Sequence, residues 1–340
     1  MSFGNPEKSS GKGTSPQERI YYQGDLEPFL KQILLDYELG TYIGHELKHN
    51  GYEDFNLILH TTTGPIFLKC FAQWRSKEDC ERYLDMIQTS YTRGHVLTPK
   101  LYPNTKGSFL TTFDNDGDHI CAMKFLDGGN IWESKKRLTD EEQKAIIREA
   151  AKITLCEYKP TYVHDSWAIV NASETYSKSR DRIAEEDRKL LDRLMREFGK
   201  IEVAALPHSF VHGDVRSTNV MRHSDGHVYV IDFSVANWYP RVVELAVMLS
   251  DILFDPSHTE EFTKTYQWAL GVYQEAGVVF TQEELKVLPI FVQLAHAMNI
   301  IGSSSVDATQ YISQAENAHW MQLGRTGLHF TMSELEQGVN

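Results

Sequence analysis

The spacing of hydrophobic residues along the first 125 residues predicts strands together with two helices. Apolar residues at intervals of three and four predict an amphipathic helix from Asp25 to about Glu38 and a second from Ser76 to about Tyr91. Strands are predicted from short apolar runs bounded by turn-forming residues, at Phe55–Leu59, Ile66–Phe71, Ser108–Phe113 and His119–Phe125. We therefore expect a small antiparallel sheet with one helix inserted between its second and third runs.

The rest of the chain shows mainly helical periodicity, which begins after the interruption Leu126-Asp127-Gly128-Gly129. Two of its helices begin with the capping-box form, at Thr139–Glu142 and Thr281–Glu284. Helices are predicted at about 140–158, 174–198, 241–254, 258–277, 282–301 and 308–323. We expect an N-terminal lobe over 19–125 and a helical lobe over 126–330, with a disordered tail at 1–18 and a polar tail at 331–340.

Residues 210–233 are the only clear β-like interruption of the helical half. Two apolar runs, Asn219–Met221 and Val228–Ile231, flank His223-Ser224-Asp225-Gly226, and Asp-Gly between apolar runs is a strong hairpin signal. Folding this hairpin would bring Asn219 beside Asp232, with Asp214 on the loop that leads in. Two carboxylates and one amide around a common space suit a hard cation and a proton acceptor.

A lysine interrupts one of the predicted strands. Alternation places Phe67, Lys69 and Phe71 on one face of that strand. Lys69 is therefore expected either to lie on the exposed face of an open sheet or to hold an anion.

The string His45-Glu46-Leu47-Lys48-His49 matches the zinc-protease motif H-E-x-x-H. That motif works only on a helix, which places both histidines on one face. Gly40 and Gly44 precede the string and Asn50-Gly51 ends it, so we expect a chance match.

Composition narrows the class of partner. The 340 residues suffice for two lobes with a sizeable core, and 34 Lys and Arg against 47 Asp and Glu give a net charge of −13. This acidity argues against nucleic-acid and anionic-membrane binding. It is compatible with a cationic small substrate, although a plain solvated surface is the simpler interpretation. Four dispersed cysteines and the lack of a long apolar run indicate a cytoplasmic protein.

The motif His212-Gly213-Asp214-x-x-x-x-Asn219, followed by Val230-Ile231-Asp232-Phe233, resembles the catalytic and metal-binding motifs of the kinase-like phosphotransferases. Glycine after the histidine resembles the aminoglycoside phosphotransferase and choline kinase group. Lys69 on a third strand, an acidic helix, a hinge at Lys124–Gly129 and Glu244-Leu245-Ala246 agree with that group. The resemblance covers roughly residues 40–255. It implies an α+β, bilobal protein-kinase-like fold, with an N-terminal antiparallel sheet lobe and a larger, mainly helical C-terminal lobe.

The resemblance also implies ATP and Mg²⁺ as cofactors. Asp232 and Asn219 would hold the metal, and Asp214 would orient the acceptor hydroxyl and take its proton. Arg216 would reach the transferred phosphate, unless it is a surface or helix-pairing arginine. His212 would brace the catalytic loop.

For the nucleotide, Lys69 would hold the α- and β-phosphates. Glu81 is the first choice for the acid that orients Lys69, and Asp85 is the second. Backbone groups near Lys124 and Phe125 would bind adenine and Met123 would line its pocket, although Met and Phe in such strands are by default core residues. Asn50-Gly51-Tyr52 would mark the glycine-rich loop.

We therefore predict an ATP- and Mg²⁺-dependent kinase that acts on a small-molecule hydroxyl. A cationic acceptor of the aminoglycoside, choline or amino-acid type is the candidate class. The alternatives are a nucleotide-binding regulator without turnover and a protein Ser/Thr kinase, the second disfavoured by Gly213 and Ser234. Acidic and aromatic residues that could line an amine or sugar site, or be ordinary surface and core residues, are Asp165, Asp251, Asp255, Glu260, Glu261, Trp167, Trp238 and Trp268. The acceptor, the choice of ATP or GTP and the oligomeric state stay open.

Overall fold

In the computed structural model, which describes residues 16–48, 54–113, 117–305 and 314–334, the apolar runs of the first 125 residues form a six-stranded antiparallel sheet. Its strands are β1 (Tyr42–Lys48), β2 (Phe55–Thr61), β3 (Gly64–Cys70), β4 (Leu101–Tyr102), β5 (Thr111–Phe113) and β6 (Asp118–Lys124). They pair in the order β1-β2-β3-β6-β4, and β5 also pairs with β6. The sheet belongs to one of two compact units, which consists of Met1–Tyr91 and Thr98–Asp127.

Two helices accompany this sheet, α1 (Leu26–Tyr37) and α2 (Lys77–Thr92). Helix α1 begins at Asp25, whose side chain accepts a hydrogen bond from the Glu27 N–H, and it buries Phe29 and Ile33 in the apolar core of the sheet. The predicted disordered tail ends too late, because residues 16–18 belong to a 3-10 helix, Pro16–Arg19.

Strand β1 was not among the predicted elements. It pairs with β2 in antiparallel register, Leu47 opposite Leu57. His45 and Glu46 lie on this strand, so they point to opposite faces and cannot form the helical zinc motif. His49 and the predicted Asn50-Gly51-Tyr52 loop lie outside the described residues.

The second unit, Thr92–Leu97 and Gly128–Asn340, is mainly helical. Its helices are α3 (Ile131–Ser134), α4 (Asp140–Leu155), α5 (Ala172–Ser179), α6 (Glu185–Phe198), α7 (Val242–Ser250), α8 (Phe262–Glu275), α9 (Gln282–Ser303) and α10 (Gln314–Glu334). The helix predicted at 174–198 is in fact two helices, with the 3-10 helix Arg180–Arg182 between α5 and α6. The predicted polar tail also begins too early, because Thr331 and Met332 are buried residues of α10.

Four short strands lie among these helices. β7 (His208–Val211) pairs with β10 (Asn237–Pro240), and β8 (Val220–Arg222) pairs with β9 (Val228–Val230), both antiparallel. The expectation of a single β-like interruption is therefore wrong, because β7 and β10 form a second pair.

Helix α9 is the core helix of this unit. Its length and composition would let it cross a membrane, but 78% of its most apolar stretch is buried inside the fold. Helix α10 packs closely on α9, because a Cβ at Gly324 would lie 2.8 Å from both the Asn299 Cβ and the His296 carbonyl oxygen. Asn299 is thereby held at the junction of the two helices.

Candidate active site

The β8–β9 hairpin brings the two ends of the predicted motif together. Val220 is opposite Val230, and the Ile231 N–H donates to the Asn219 carbonyl at 2.9 Å. Gly226 takes the positive φ (84°) that the turn requires. The hairpin prediction is confirmed, and Asn219 lies beside the residue that precedes Asp232.

Asp214 and Asn219 are directly linked. The Asn219 Nδ2 donates to Asp214 Oδ2 at 2.6 Å and to the Asp214 carbonyl at 3.1 Å. The Asp214 N–H donates to His212 Nδ1, and the fully buried His212 ring donates from Nε2 to the Ile231 carbonyl. His212 thus fastens the catalytic loop to the hairpin, and burial lowers its pKa to about 4, which keeps the ring neutral.

The surroundings of Asp214 favour its protonated form. Desolvation raises the pKa of this carboxyl, Arg216 opposes that effect, and the negative charges of Asp232, Asp251 and Asp165 add to it, so that the pKa rises to about 7. A carboxylate with a pKa near neutrality is suited to accept a proton from an attacking hydroxyl.

Arg216 lies between carboxylates and an aromatic ring. Its Nε is 4.0 Å from Asp214 Oδ1 and 3.5 Å from Asp251 Oδ2, and its NH2 group donates to Asn299 Oδ1. The guanidinium carbon lies 5.0 Å from the centre of the Trp320 ring. Helices α9 and α10 therefore fix Arg216 beside the proposed base.

The Trp320 ring that lies next to Arg216 belongs to an aromatic cluster formed by residues of α3 and α10. Trp132 stacks on Trp320 with ring centres 5.1 Å apart, and the His319 ring lies 4.4 Å from Trp132. Of the tryptophans predicted for a substrate site, Trp238 has Lys159 5.2 Å from its ring, and Trp167 packs against Gly302. Sequence reasoning missed Trp132 and Trp320, because only the packing of α10 brings them to the catalytic loop.

The five predicted acids separate into two groups. Asp165 and Asp251 act on the pKa of Asp214, and Asp251 also accepts the Ser217 N–H at 2.7 Å. Asp255 instead pairs with His258 at 3.1 Å, and Glu260 and Glu261 lie in the 3-10 helix Thr259–Glu261.

Glu244 is a residue of this site to which the sequence assigned no role. It is fully buried in α7, and its Oε2 accepts the Gly213 N–H at 3.0 Å. Burial raises its pKa to about 8, and hydrogen bonds from the Gly213 and His212 backbone oppose that rise. The available signal was Glu244-Leu245-Ala246, which matched the family's Asp-Leu-Ala pattern.

Asp232 and Asn219 form a donor set that fits Mg²⁺. Asp232 has a positive φ (62°), and its Oδ1 accepts hydrogen bonds from the Ser234 N–H and hydroxyl. Because the Asn219 amino group is bound to Asp214, its Oδ1 is the atom left to serve as a ligand. Within the described residues, no three or more His, Cys, Asp or Glu side chains cluster to hold a metal. One carboxylate and one amide oxygen suit Mg²⁺, which also takes phosphate and water oxygens.

Lys69 lies on β3 of the sheet unit and contacts the carboxylate of Asp54. Its Nζ is 2.6 Å from Asp54 Oδ2, and both side chains are buried. Glu81, the first choice from the sequence, instead pairs with Lys77 at 3.6 Å, with more than half of its side chain exposed. The predicted Lys69–Glu81 pair is therefore wrong, because Glu81 lies on the solvent side of α2.

The residues predicted for adenine lie at the end of β6. Met123 is buried and pairs with Phe67 and Leu101. The Lys124 N–H donates to the Lys100 carbonyl at 2.8 Å, so a base near this position would use other backbone groups of Lys124 and Phe125.

The fold and this constellation define the class: a kinase-like enzyme that moves a phosphoryl group to a small molecule. Comparison with known proteins supports the class. A homoserine kinase of Rhodopseudomonas palustris (strain BisA53) is 26% identical over 250 residues, which cover 71% of this chain and 73% of that protein. The structure of a microcompartment-associated aminopropanol kinase has a TM-score of 0.62 at 16% identity, covering 92% of this chain and 98% of that one. The structure of a spectinomycin phosphotransferase in complex with ADP and spectinomycin has a TM-score of 0.63 at 12% identity, covering 89% of this chain and 98% of that one.

The model of the phosphotransferase enzyme family matches residues 48–277, and the chain belongs to that family. It is a kinase that phosphorylates a hydroxyl group of a small molecule. Its α+β, bilobal kinase-like fold is the one that the sequence motifs implied.

Proposed function

We propose that this kinase uses ATP and Mg²⁺ to phosphorylate the hydroxyl of a small amino alcohol or amino acid. The observation that carries the proposal is the position of Asp214, which is hydrogen-bonded to Asn219 and flanked by Arg216, with the charges of Asp165 and Asp251 acting on it. A base next to a metal-ligating amide and a fixed arginine is the arrangement that phosphoryl transfer needs.

Each residue has a separate task in this reaction. Asp214 orients the acceptor hydroxyl and takes its proton as the oxygen attacks the γ-phosphate. Arg216, fixed by Asn299 and Trp320, attracts the phosphoryl group that is being transferred. Asp232 and Asn219 would hold Mg²⁺, which when bound neutralises charge on the nucleotide phosphates. Lys69 would bind the α- and β-phosphates.

The acidic surroundings of Asp214 favour an acceptor with a positive charge. Asp165 and Asp251 add negative charge near the base, and Arg216 offsets only part of it. An ammonium group on the acceptor would neutralise the negative charge that Arg216 leaves uncompensated. Homoserine and aminopropanol, named in two of the similar proteins, both carry an amine and a hydroxyl.

A panel of acceptors tests this proposal. Homoserine, aminopropanol, choline and an aminoglycoside would be compared with uncharged alcohols of similar size, with ADP release measured in a coupled assay. We expect turnover with an amine-bearing acceptor, and a loss of about 10²-fold or more in Asp214→Asn. ADP release only with uncharged acceptors would refute the charge argument, and ATP binding without ADP release from any acceptor would refute the reaction.

A further inference from the structure

We propose that Asp54, the residue immediately before β2, is the positioning residue that holds Lys69 ready for the nucleotide phosphates. This inference rests on the proposed use of ATP by this chain. It gives the role predicted for Glu81, or as second choice Asp85, to a residue outside α2.

The contacts of Asp54 are those of a fixed anchor. The residue is 4% exposed, and its Oδ2 accepts from Lys69 Nζ at 2.6 Å. Its Oδ1 accepts from the Ala72 N–H and from Arg75 Nε, both at 3.0 Å. One carboxylate therefore joins the start of β2 to the lysine of β3 and to the segment that leads into α2.

These donors keep Asp54 charged. Burial by itself would raise the pKa of this carboxyl, but the cations of Lys69 and Arg75 and the Ala72 N–H lower it to about 2. Charge-assisted hydrogen bonds of this kind are short and directional. Asp54 can therefore fix the position of the Lys69 ammonium throughout the neutral pH range.

The buried face of α2 meets Lys69 with an aromatic ring. Tyr83 is 4% exposed, and its ring centre lies 5.2 Å from Lys69 Nζ. The Phe71 ring centre is 5.9 Å from the same atom, and the two rings pack edge to face. Rings at this distance attract an ammonium group but do not direct it as a carboxylate does. The contact to Asp54 is directional.

Three variants test the inference by direct titration with ATP and by steady-state kinetics. Asp54→Asn keeps the side-chain shape and should weaken ATP affinity and raise KM for ATP about tenfold or more, with KM for the acceptor unchanged. Glu81→Gln, at an exposed position of α2, should change neither the affinity for ATP nor KM for ATP by more than twofold. Arg75→Gln removes the other cation from Asp54 and should lower Tm.

A double-mutant cycle shows whether Asp54 acts through Lys69. Lys69→Met should weaken ATP binding, and adding Asp54→Asn to it should cause no further loss. An equal loss from Asp54→Asn with and without Lys69 would overturn the inference, and so would wild-type KM for ATP in Asp54→Asn. If Asp54→Asn does not fold, Glu81→Gln still decides the matter: a tenfold rise in its KM for ATP would assign the role to α2.

ATP titration separates this inference from the proposed reaction. A wild type that binds ATP and releases no ADP with any acceptor would refute the reaction only. In that case the affinities of the Asp54→Asn and Glu81→Gln variants for ATP would still support or overturn the role of Asp54.

Discussion

A methyl group added at Gly128 should disturb the catalytic hairpin more than most substitutions outside it. An ideal Cβ at this position would lie 1.7 Å from the Arg222 carbonyl oxygen and 2.8 Å from its carbonyl carbon. Carbon and oxygen in contact are about 3.3 Å apart, so one of the two backbones must move by about 1.5 Å. The atom in the way belongs to the main chain of β8, which cannot turn aside as a flexible side chain can.

The displacement should reach the site, because β8 begins next to Asn219. The Arg222 N–H also donates to the Gly129 carbonyl at 3.2 Å, so the two segments are joined where the methyl group would push them apart. Forced overpacking costs about 1–3 kcal/mol, and a misplacement of about 1 Å can cost about 10²-fold in rate. For Gly128→Ala we therefore expect unfolding free energy to fall by about 2 kcal/mol and kcat to fall about 10²-fold.

Urea unfolding and coupled ADP release measure these two effects, and Gly271→Ala is the matched control. A Cβ at Gly271 meets nothing within 4 Å, and the residue lies inside α8, where alanine should add about 0.5–1 kcal/mol of stability. Wild-type stability together with wild-type kcat in Gly128→Ala would refute the reasoning. Equal losses in the two variants would show that the close approach to Arg222 is not the cause.

Three further predictions concern charge. The pKa of Asp214 is raised to about 7, mainly by desolvation. Because a protonated base cannot accept the proton, we expect kcat/KM for the acceptor to fall about tenfold for each pH unit below 7. A kcat/KM that does not change from pH 5.5 to 8 would contradict this. The pKa of Glu244, raised by burial from 4.5 to about 8, predicts that its contribution to stability is full below pH 4.5 and is lost as pH rises through 8. In urea unfolding, the free energy of unfolding of Glu244→Gln should accordingly decline less from pH 5 to 8 than that of the wild type. Equal declines in the two proteins would rule this out. Asp187→Asn should lower the free energy of unfolding by about 1–3 kcal/mol, because Asp187 is 2% exposed and binds Arg325 of α10 through both oxygens. Lys178→Gln removes a partner from an exposed pair, and it should cost less than about 0.5 kcal/mol in the same assay.

The hairpin could be predicted from sequence because its information is local. Asp225-Gly226 specifies the turn, the flanking apolar runs specify the strands, and their ends then meet without reference to the rest of the chain. Lys69 could be placed on its strand for the same reason, since alternation is a property of neighbouring residues. The motif therefore indicated the type of reaction before any tertiary contact was known.

Strand β1 was missed because its sequence lacks the pattern of a half-buried strand. It lies at the edge of the sheet, and every residue from Tyr42 to Lys48 is partly exposed or exposed. An edge strand with little buried surface carries no run of hydrophobic residues by which to detect it.

The partner of Lys69 could not be found by local reasoning. Asp54 is separated from Lys69 by a whole strand and a turn, and it meets the lysine only when β2 and β3 pair. The contacts of Arg216 with Asn299 and Trp320 likewise depend on how α9 and α10 pack. Contacts between side chains that are distant in sequence are therefore the part of the site that sequence predicts least well.

Asp54, which is buried, and Asp214, which is partly buried, show how two carboxylates acquire opposite properties. Asp54 receives two cations and a backbone N–H, which outweigh its burial and lower its pKa to about 2. Asp214 accepts one side-chain hydrogen bond from the Asn219 amide. Desolvation raises its pKa to about 7; Arg216 offsets part of that rise and the negative charge of Asp232 adds to it. A group that must hold an ammonium in place should never change its protonation, whereas a base must be able to gain and lose a proton near neutral pH. This difference supports the positioning role proposed for Asp54 and the proton transfer proposed for Asp214.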